Sequence, residues 1–419
     1  MVKLKLNQSK DKTMPIAPHI KEIMNSKGAS VIRKMFEEGA KLKAQYGADK
    51  VFDFSLGNPD LEPPAEVLQT IKEQAVLSQK GIHAYMPNAG YPSTRKAMAD
   101  KVNSEQGLTV TGALNEGNVV MSVGAAGALT SVFKAILSPG DEVLVPVPFF
   151  AEYRNYVTNH QGVLKPVPSK PDFSLDIDQI KASLTPKTAA LLINSPNNPS
   201  GKIYSEADIV SVSKVLTEHG KSCGRTPYLI CDEPYRAITY KGKTVASVFP
   251  HYDSSIIVSS FAKNLSLPGE RIGYIAVNPA SPDASELTAA CIFATRCLGF
   301  VNAPAFFQRV VEKSWNSKAD YSSYEKRCAQ ISKAVGDAGI EYSEPEGAFY
   351  LFCKVPADKD GNRDDFAFCD HLKKHLILCA PGTGFGCPGY FRIAYCVPEK
   401  TILNSAAAFK EAMSTWTTR

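Results

Sequence analysis

Residues 254–279 read SSIIVSSFAKNLSLPGERIGYIAVNP. Two short apolar runs, SSIIVSS and GYIAVNP, bracket a loop of Ser, Leu, Pro and Gly. Their β-branched content and length predict a pair of buried strands. Lys263 stands at the mouth of the first strand and Arg271 opens the second, eight positions later. Two cations between buried strands need either water or an anion, because an uncompensated charge is costly at a core boundary.

Outward from this stretch the pattern alternates. VFDFSLG from residue 51 reads as a short strand, followed by NVVMSVG, DEVLVPVP, GVLKPVPS, TAALLINS and YLICDE, each short and apolar. Helical patterns such as PPAEVLQTIKEQAVLSQ, AAGALTSVFKAIL and SEADIVSVSKVLTEHG lie between them. Apolar strands alternating with helices predict an α/β fold: a mostly parallel sheet covered on both faces, three layers deep. The rhythm stops near residue 300. GAFYLFCKV, LILCAPG and YFRIAYC then predict a smaller α+β unit. The expected division is an arm and helix over 1–50 joining the small unit, a large unit over 51–300 and the small unit over 301–419.

Composition removes several function classes. Lys+Arg number 47 against Asp+Glu 42 in 419 residues, a net charge of +5 with no basic, aromatic-laced cluster, so nucleic-acid binding has no footprint. No apolar run reaches the roughly 18–20 residues that a membrane span needs. The N-terminus, MVKLKLNQSKDKTMPIAP, has no apolar core, so a signal peptide is not expected. The ten cysteines form no Cys-x-x-Cys pair and several sit in apolar runs. They read as small buried hydrophobes in a reducing, cytoplasmic compartment rather than as metal ligands.

In a parallel sheet, ligands gather beyond the carboxyl ends of the strands. Four strands end there in polar or otherwise unusual residues: at Gly124-Ala125-Ala126, at Pro196-Asn-Asn198-Pro-Ser-Gly201, at Asp232-Glu-Pro-Tyr235 and at Phe261-Ala-Lys263. Taken singly, each has a bland reading. Asp232 suits a cap or ion pair, Asn198-Pro199 a turn, Lys263 a snorkelling side chain, and Gly124 close packing. Together they match one chemical object. Helix-start amides at Gly124, Ala125 and Ala126 suit a phosphate, as do Arg271 and the hydroxyls of Ser259 and Ser260. Asp232 suits a cationic ring nitrogen, Tyr235 and Asn198 a phenolate-like oxygen, and Lys263 an aldehyde. Those are the four functional groups of pyridoxal phosphate.

Asn198-Pro-Ser-Gly201, Asp232-Glu-Pro-Tyr235, and Ser260-Phe-Ala-Lys263 with Arg271-Ile-Gly-Tyr274 resemble the motifs of class I/II aminotransferases, the fold-type I pyridoxal-phosphate enzymes. The resemblance extends over nearly the whole chain. Leu56-Gly57-Asn-Pro-Asp60 resembles the loop whose glycine lies by the substrate carboxylate. Tyr85-Met-Pro-Asn-Ala-Gly90 resembles the segment whose tyrosine reaches the neighbouring subunit's phosphate. Pro148-Phe-Phe150 resembles the motif that stacks a ring, here Phe150, on the cofactor. Tyr390-Phe-Arg392-Ile resembles the segment whose arginine clamps the substrate carboxylate. The resemblance implies a homodimer in which Lys263 carries the cofactor as a Schiff base and later moves a proton. It implies that Asp232 keeps the ring nitrogen protonated, that Tyr235 and Asn198 hold the ring oxygen, and that Ser260, Arg271, Gly124, Ala125, Ala126 and a partner's Tyr85 hold the phosphate.

Substrate choice is less legible. Gly124-Ala125-Ala126 departs from the subgroup with Gly-Gly-Lys, whose lysine reads a side-chain carboxylate. Arg296 in RCLGFVNAP is a loose match to a second subgroup, in which a partner's arginine does so. On that match the expected donor is aspartate or a related amino acid, with 2-oxoglutarate as acceptor. The alternative reading of Arg296 is a surface or interdomain ion pair. Phe149-Phe150 leaves an aromatic or alanine-type donor open, and the cofactor motifs alone do not separate transfer from a lyase reaction. A non-catalytic regulator on the same fold would carry a DNA-binding domain, and no helix-turn-helix pattern precedes the first strand. His371 and His375 share a helical face but lack further ligands; with Lys373 and Lys374 between them they read as a solvated basic face. Gly382-Thr-Gly-Phe-Gly386 resembles the loop before the substrate arginine.

Overall fold

The computed structural model describes residues 16–25, 31–109 and 112–416. The expected arm over 1–15 and the start of its helix at 26–30 lie outside the described residues. In chain order the strands are β1 (Phe52–Asp53), β2 (Val119–Ser122), β3 (Glu142–Pro146), β4 (Val163–Val167), β5 (Thr188–Asn194), β6 (Tyr228–Asp232) and β7 (Ser255–Ser260). They continue as β8 (Gly273–Val277), β9 (Tyr342–Ser343), β10 (Tyr350–Lys354), β11 (Ile377–Leu378), β12 (Ala380–Pro381) and β13 (Tyr390–Ala394).

Seven strands form one sheet in the order β2-β8-β7-β6-β5-β3-β4. Every neighbour pair is parallel except those of β8, which runs against both β7 and β2. The reason is local. Residues 261–272 hold only the short helix Phe261–Asn264 and a single 3₁₀ turn, with no crossover helix to carry the chain back across the sheet. The strand pair in the opening stretch is therefore the antiparallel exception.

Alternation along the strands builds the layers. Leu191 and Ile193 of β5, Leu229 and Cys231 of β6, and Ile257 of β7 enter one core. Ala190 and Leu192, Ile230, and Ile256 and Val258 of the same strands enter the other. Since successive strand side chains face opposite ways, both faces are buried. Helices Ala65–Ala75, Pro92–Gln106, Glu206–Cys223 and Ala305–Ser314 close the first face. Helices Gly124–Ile136, Tyr153–Thr158 and Ala284–Cys297 close the second. The longest of these, Glu206–Cys223, starts at a capping box between Ser205 and Asp208 and stops at Gly224.

A smaller antiparallel sheet, ordered β12-β13-β10-β9, packs with helices Ser322–Asp337, Asp365–Lys374 and Glu399–Trp416 around a third core. Two segments fall on the other side of the expected division. β1 pairs in parallel with β11 and Phe54 enters the third core, so residue 51 does not open the large sheet. Ala303, Val310 and Val311 enter the large sheet's first core. Apolar periodicity marks a segment as buried but not which partner buries it. His371 also departs from expectation. It is buried rather than solvated, with its Nε2 2.8 Å from the Ala412 carbonyl of the last helix.

Candidate active site

The carboxyl ends of β5, β6 and β7 and the helix after β2 open onto one cavity of about 290 Å³, closed from the other side by Tyr350 of β10 and Arg392 of β13. Gly57, Ala125, Ala126, Phe150, Asn198, Asp232, Tyr235, Ser260, Lys263 and Arg271 also line it.

Asp232 ends β6 and is 5% exposed. Its Oδ2 accepts a 2.5 Å hydrogen bond from the Tyr153 hydroxyl, while Oδ1 is buried with no partner among the described residues. Burial pushes this carboxyl up to about 7, against the Tyr153 hydrogen bond that lowers it. Asn194 pairs with Asp232 in register and fixes the strand ends. Its amide donates to the Asp232 carbonyl at 2.7 Å and its oxygen accepts from Asn198 N at 2.7 Å.

Lys263 lies in the short helix Phe261–Asn264, and its ammonium donates to the Gly57 carbonyl at 2.6 Å. Burial, joined by the Arg392 and Arg271 charges and opposed by Cys396, lowers it to about 8. At 57 only glycine fits: an added Cβ would sit 2.0 Å from the Tyr350 hydroxyl. The neutral fraction of an amine titrating near 8 sets an expected result. In the cofactor-free chain, reductive methylation of Lys263 by formaldehyde should rise about fivefold from pH 7 to 8 and less than twofold from 8 to 9. An ordinary lysine would gain about tenfold in each step. Mass spectrometry of the Lys263 peptide distinguishes the two, and a tenfold rise per unit throughout would contradict the lowered value.

At the other end, Gly124 adopts φ +68° and starts the helix Gly124–Ile136, which has no side-chain cap among the described residues. An added Cβ there would lie 3.0 Å from Arg271 Nη2, so the glycine lets the guanidinium lie against the helix start. Arg271 also donates to the Pro268 carbonyl at 2.9 Å. Amides, guanidinium and the Ser260 side of the cavity form an anion cradle. Ser259 does not join it, because its hydroxyl donates to the Glu233 carbonyl at 3.0 Å.

Arg392 is 2% exposed and has no carboxylate partner among the described residues. It donates to Asn198 Oδ1 at 3.0 Å and to the Ser55 carbonyl at 2.6 Å, and it lies between the rings of Tyr350 and Phe385 at 4.7 and 4.8 Å. Its Nε has no partner among the described residues. A buried guanidinium so held is ready for a carboxylate.

Three candidate residues do not line this cavity: Gly124, which Arg271 lies against, and Tyr85 and Arg296, which stay outside it. Tyr85 is 92% exposed, and Arg296 is exposed on helix Ala284–Cys297, stacked on the exposed Phe293 at 5.7 Å. Sequence reasoning missed Tyr153, Tyr350, Asn194 and Tyr156, which also line the cavity. Asn194 had a signal, a polar residue ending an apolar strand beside the one that ends in Asp232. Tyr153 lies three residues beyond Phe150, across a turn, and stacks edge-on to it at 5.5 Å. Tyr350 had none, since it arrives from the other sheet.

The model of the family described as aminotransferase class I and II matches residues 49–409. A probable aspartate/prephenate aminotransferase of Aquifex aeolicus is 29% identical over 417 residues, covering 95% of this chain and 98% of that one. An aromatic-amino-acid aminotransferase 2 of Thermococcus litoralis is 28% identical, covering 87% and 91%. A solved amino transferase from Eubacterium rectale superposes with a TM-score of 0.90 at 36% identity, covering 96% of this chain and all of that one. With the family match spanning most of its length, the chain belongs to the class I and II aminotransferases and is a pyridoxal-phosphate-dependent transaminase.

Proposed function

We propose that this cavity moves the amino group of an L-amino acid, best matched by aspartate, to a 2-oxo acid such as 2-oxoglutarate, with Lys263 as the residue that carries the cofactor. The observation that carries the reading is the placement of three groups around one cavity: the orphaned Oδ1 of Asp232, the lowered amine of Lys263, and Arg271 over a helix start with no side-chain cap. They fit a ring cation, an aldehyde and a phosphate, so the residues present suit pyridoxal phosphate. Bound there, the cofactor supplies an electron sink for the bond broken at the substrate's α-carbon.

The protein's own contributions follow from placement. Asp232 would hold a proton on the ring nitrogen, because its free oxygen is buried and would be anionic when paired. Tyr235, which lines the cavity, would donate to the ring oxygen. Asn198 orients Arg392, and Arg392 takes the substrate carboxylate, which aligns the α-carbon with Lys263. The Lys263 amine, near neutrality, accepts and returns the α-proton. Phe150, which lines the cavity, would lie against the ring of the bound cofactor.

We further propose a homodimer in a reducing, cytoplasmic compartment; the free state of the cysteines and the burial of seven of the ten fit that compartment. The exposure of Tyr85 and of the Phe293–Arg296 face fits contact with a second copy. The same reading divides the chain into a cofactor-binding unit built on the seven-stranded sheet and a smaller substrate-clamping unit built on β9, β10, β12 and β13.

The lining cations are Lys263, Arg271 and Arg392, each already assigned, so a distal substrate carboxylate needs a cation from the partner. Arg296 is the candidate. A panel of donors with 2-oxoglutarate tests this together with Arg296→Ala. The variant is expected to lower kcat/KM for aspartate by about 10²-fold, the scale of one charge-assisted contact, and to leave alanine and phenylalanine within about threefold. Equal losses for all donors would remove Arg296 from substrate recognition. A wild-type panel led by phenylalanine or tyrosine would favour an aromatic donor, for which Phe150, Tyr156 and Tyr350 supply apolar walls.

A further inference from the structure

We propose that Tyr350 is a positioning residue that directs the Tyr235 hydroxyl into the cavity and holds the plane of Arg392. The proposal rests on the cofactor-site reading above and extends it to a side chain supplied by the small sheet.

Tyr350 touches both residues directly. Its hydroxyl is 2.7 Å from the Tyr235 hydroxyl, and the two rings meet edge to face at 5.6 Å and 81°. Its ring lies 4.7 Å from the Arg392 guanidinium. The strand register explains the second contact. Tyr350 pairs with Ala394 and Phe352 with Arg392, so Tyr350 and Arg392 are diagonal neighbours on one face of the β10–β13 ladder. The hydroxyl occupies space that any side chain at 57 would claim, and Tyr350 is 2% exposed.

Proton counting gives the hydrogen bond a direction. A phenol has one proton to donate, and of two phenols 2.7 Å apart one must accept. Tyr235 is the only hydroxyl partner of Tyr350 among the described residues. If Tyr235 spends its proton toward the cofactor's ring oxygen, Tyr350 is the donor between them. A phenol that accepts a hydrogen bond donates a stronger one, so Tyr350 sharpens Tyr235 without touching the reacting atoms.

Tyr350→Phe removes the hydroxyl and keeps the ring. In the loaded enzyme, the absorbance titration of the lysine-bound cofactor is expected to move up by about 0.3–1 pH unit, the scale of one hydrogen bond. The ring oxygen, less well solvated by Tyr235, then keeps more charge and holds its neighbouring proton longer. In a Tyr235→Phe background the same substitution should shift the titration by less than about 0.1 unit. The dissociation constant of an unreactive carboxylate such as maleate should stay within about twofold in Tyr350→Phe and weaken about three- to thirtyfold in Tyr350→Leu, where the ring is lost. An unmoved titration, an equal shift in both backgrounds, or unchanged maleate binding in Tyr350→Leu would each overturn the proposal. A wild-type protein that borohydride fails to label at Lys263 would remove the cofactor-site reading itself and the proposal with it, a result distinct from any of these.

Discussion

Lys263→Ala is expected to lower kcat for amino transfer by more than about 10⁴-fold. Proton transfer by one placed base is worth about 10²–10⁴-fold, and loss of the attachment point removes pre-organisation in addition. The fold should survive. Lys263 contributes a hydrogen bond to the Gly57 carbonyl, and its charge is held at a cost because burial lowers it to about 8. Below about pH 8 the wild type bears that cost in full, so the alanine variant should melt no lower than the wild type there. Borohydride reduction of the wild type supplies the matching positive result, with the cofactor fixed to the peptide that contains Lys263. Label on a different lysine, or transfer activity in the alanine variant within tenfold of wild type, would sink the assignment.

Asp232→Asn should cost about 10²–10⁴-fold in kcat, because breaking a buried ion pair costs about 3–5 kcal/mol and each 1.36 kcal/mol is tenfold in rate. The cofactor-free chain should respond in the opposite sense. There Asp232 has a raised value of about 7 against an ordinary 3.8, so the stability carried by its protonated form is complete below about pH 4 and is lost as pH rises through about 7. Asp232→Asn removes that titration. Cofactor-free wild type should therefore lose stability between pH 4 and 7 relative to the variant, followed by thermal melting. Parallel melting curves would show that Asp232 is not held unpaired, and full activity in the variant would separate it from the ring nitrogen.

Much of the site was legible because it sits at strand ends. Lys263, Asp232 and Asn198 each follow an apolar run and Arg271 precedes one, and a charge or amide at the end of a buried strand has few bland explanations when four occur together. Arg392 was legible by motif, and it is buried without a carboxylate partner among the described residues. The hydroxyl of Ser259 was misread because period-two alternation turns it away from Ser260 and onto the Glu233 carbonyl.

What the chain's order of residues determined by itself was a set of elements and their chemical ends: apolar runs of strand length, helices between them, and two cations a fixed distance apart on either side of Leu-Pro-Gly. Those are local properties, carried by periodicity, turn residues and side-chain type. The tertiary structure decided direction and partnership. It reversed β8, took β1 out of the large sheet to pair with β11, set Tyr153 under Asp232 and Tyr350 against Tyr235 and Arg392, and left Tyr85 and Arg296 outside the cavity of their own chain. The physical reason is common to all five. Periodicity is blind to strand direction and to the identity of the covering surface, and contacts between residues hundreds of positions apart leave no mark on the local pattern of either.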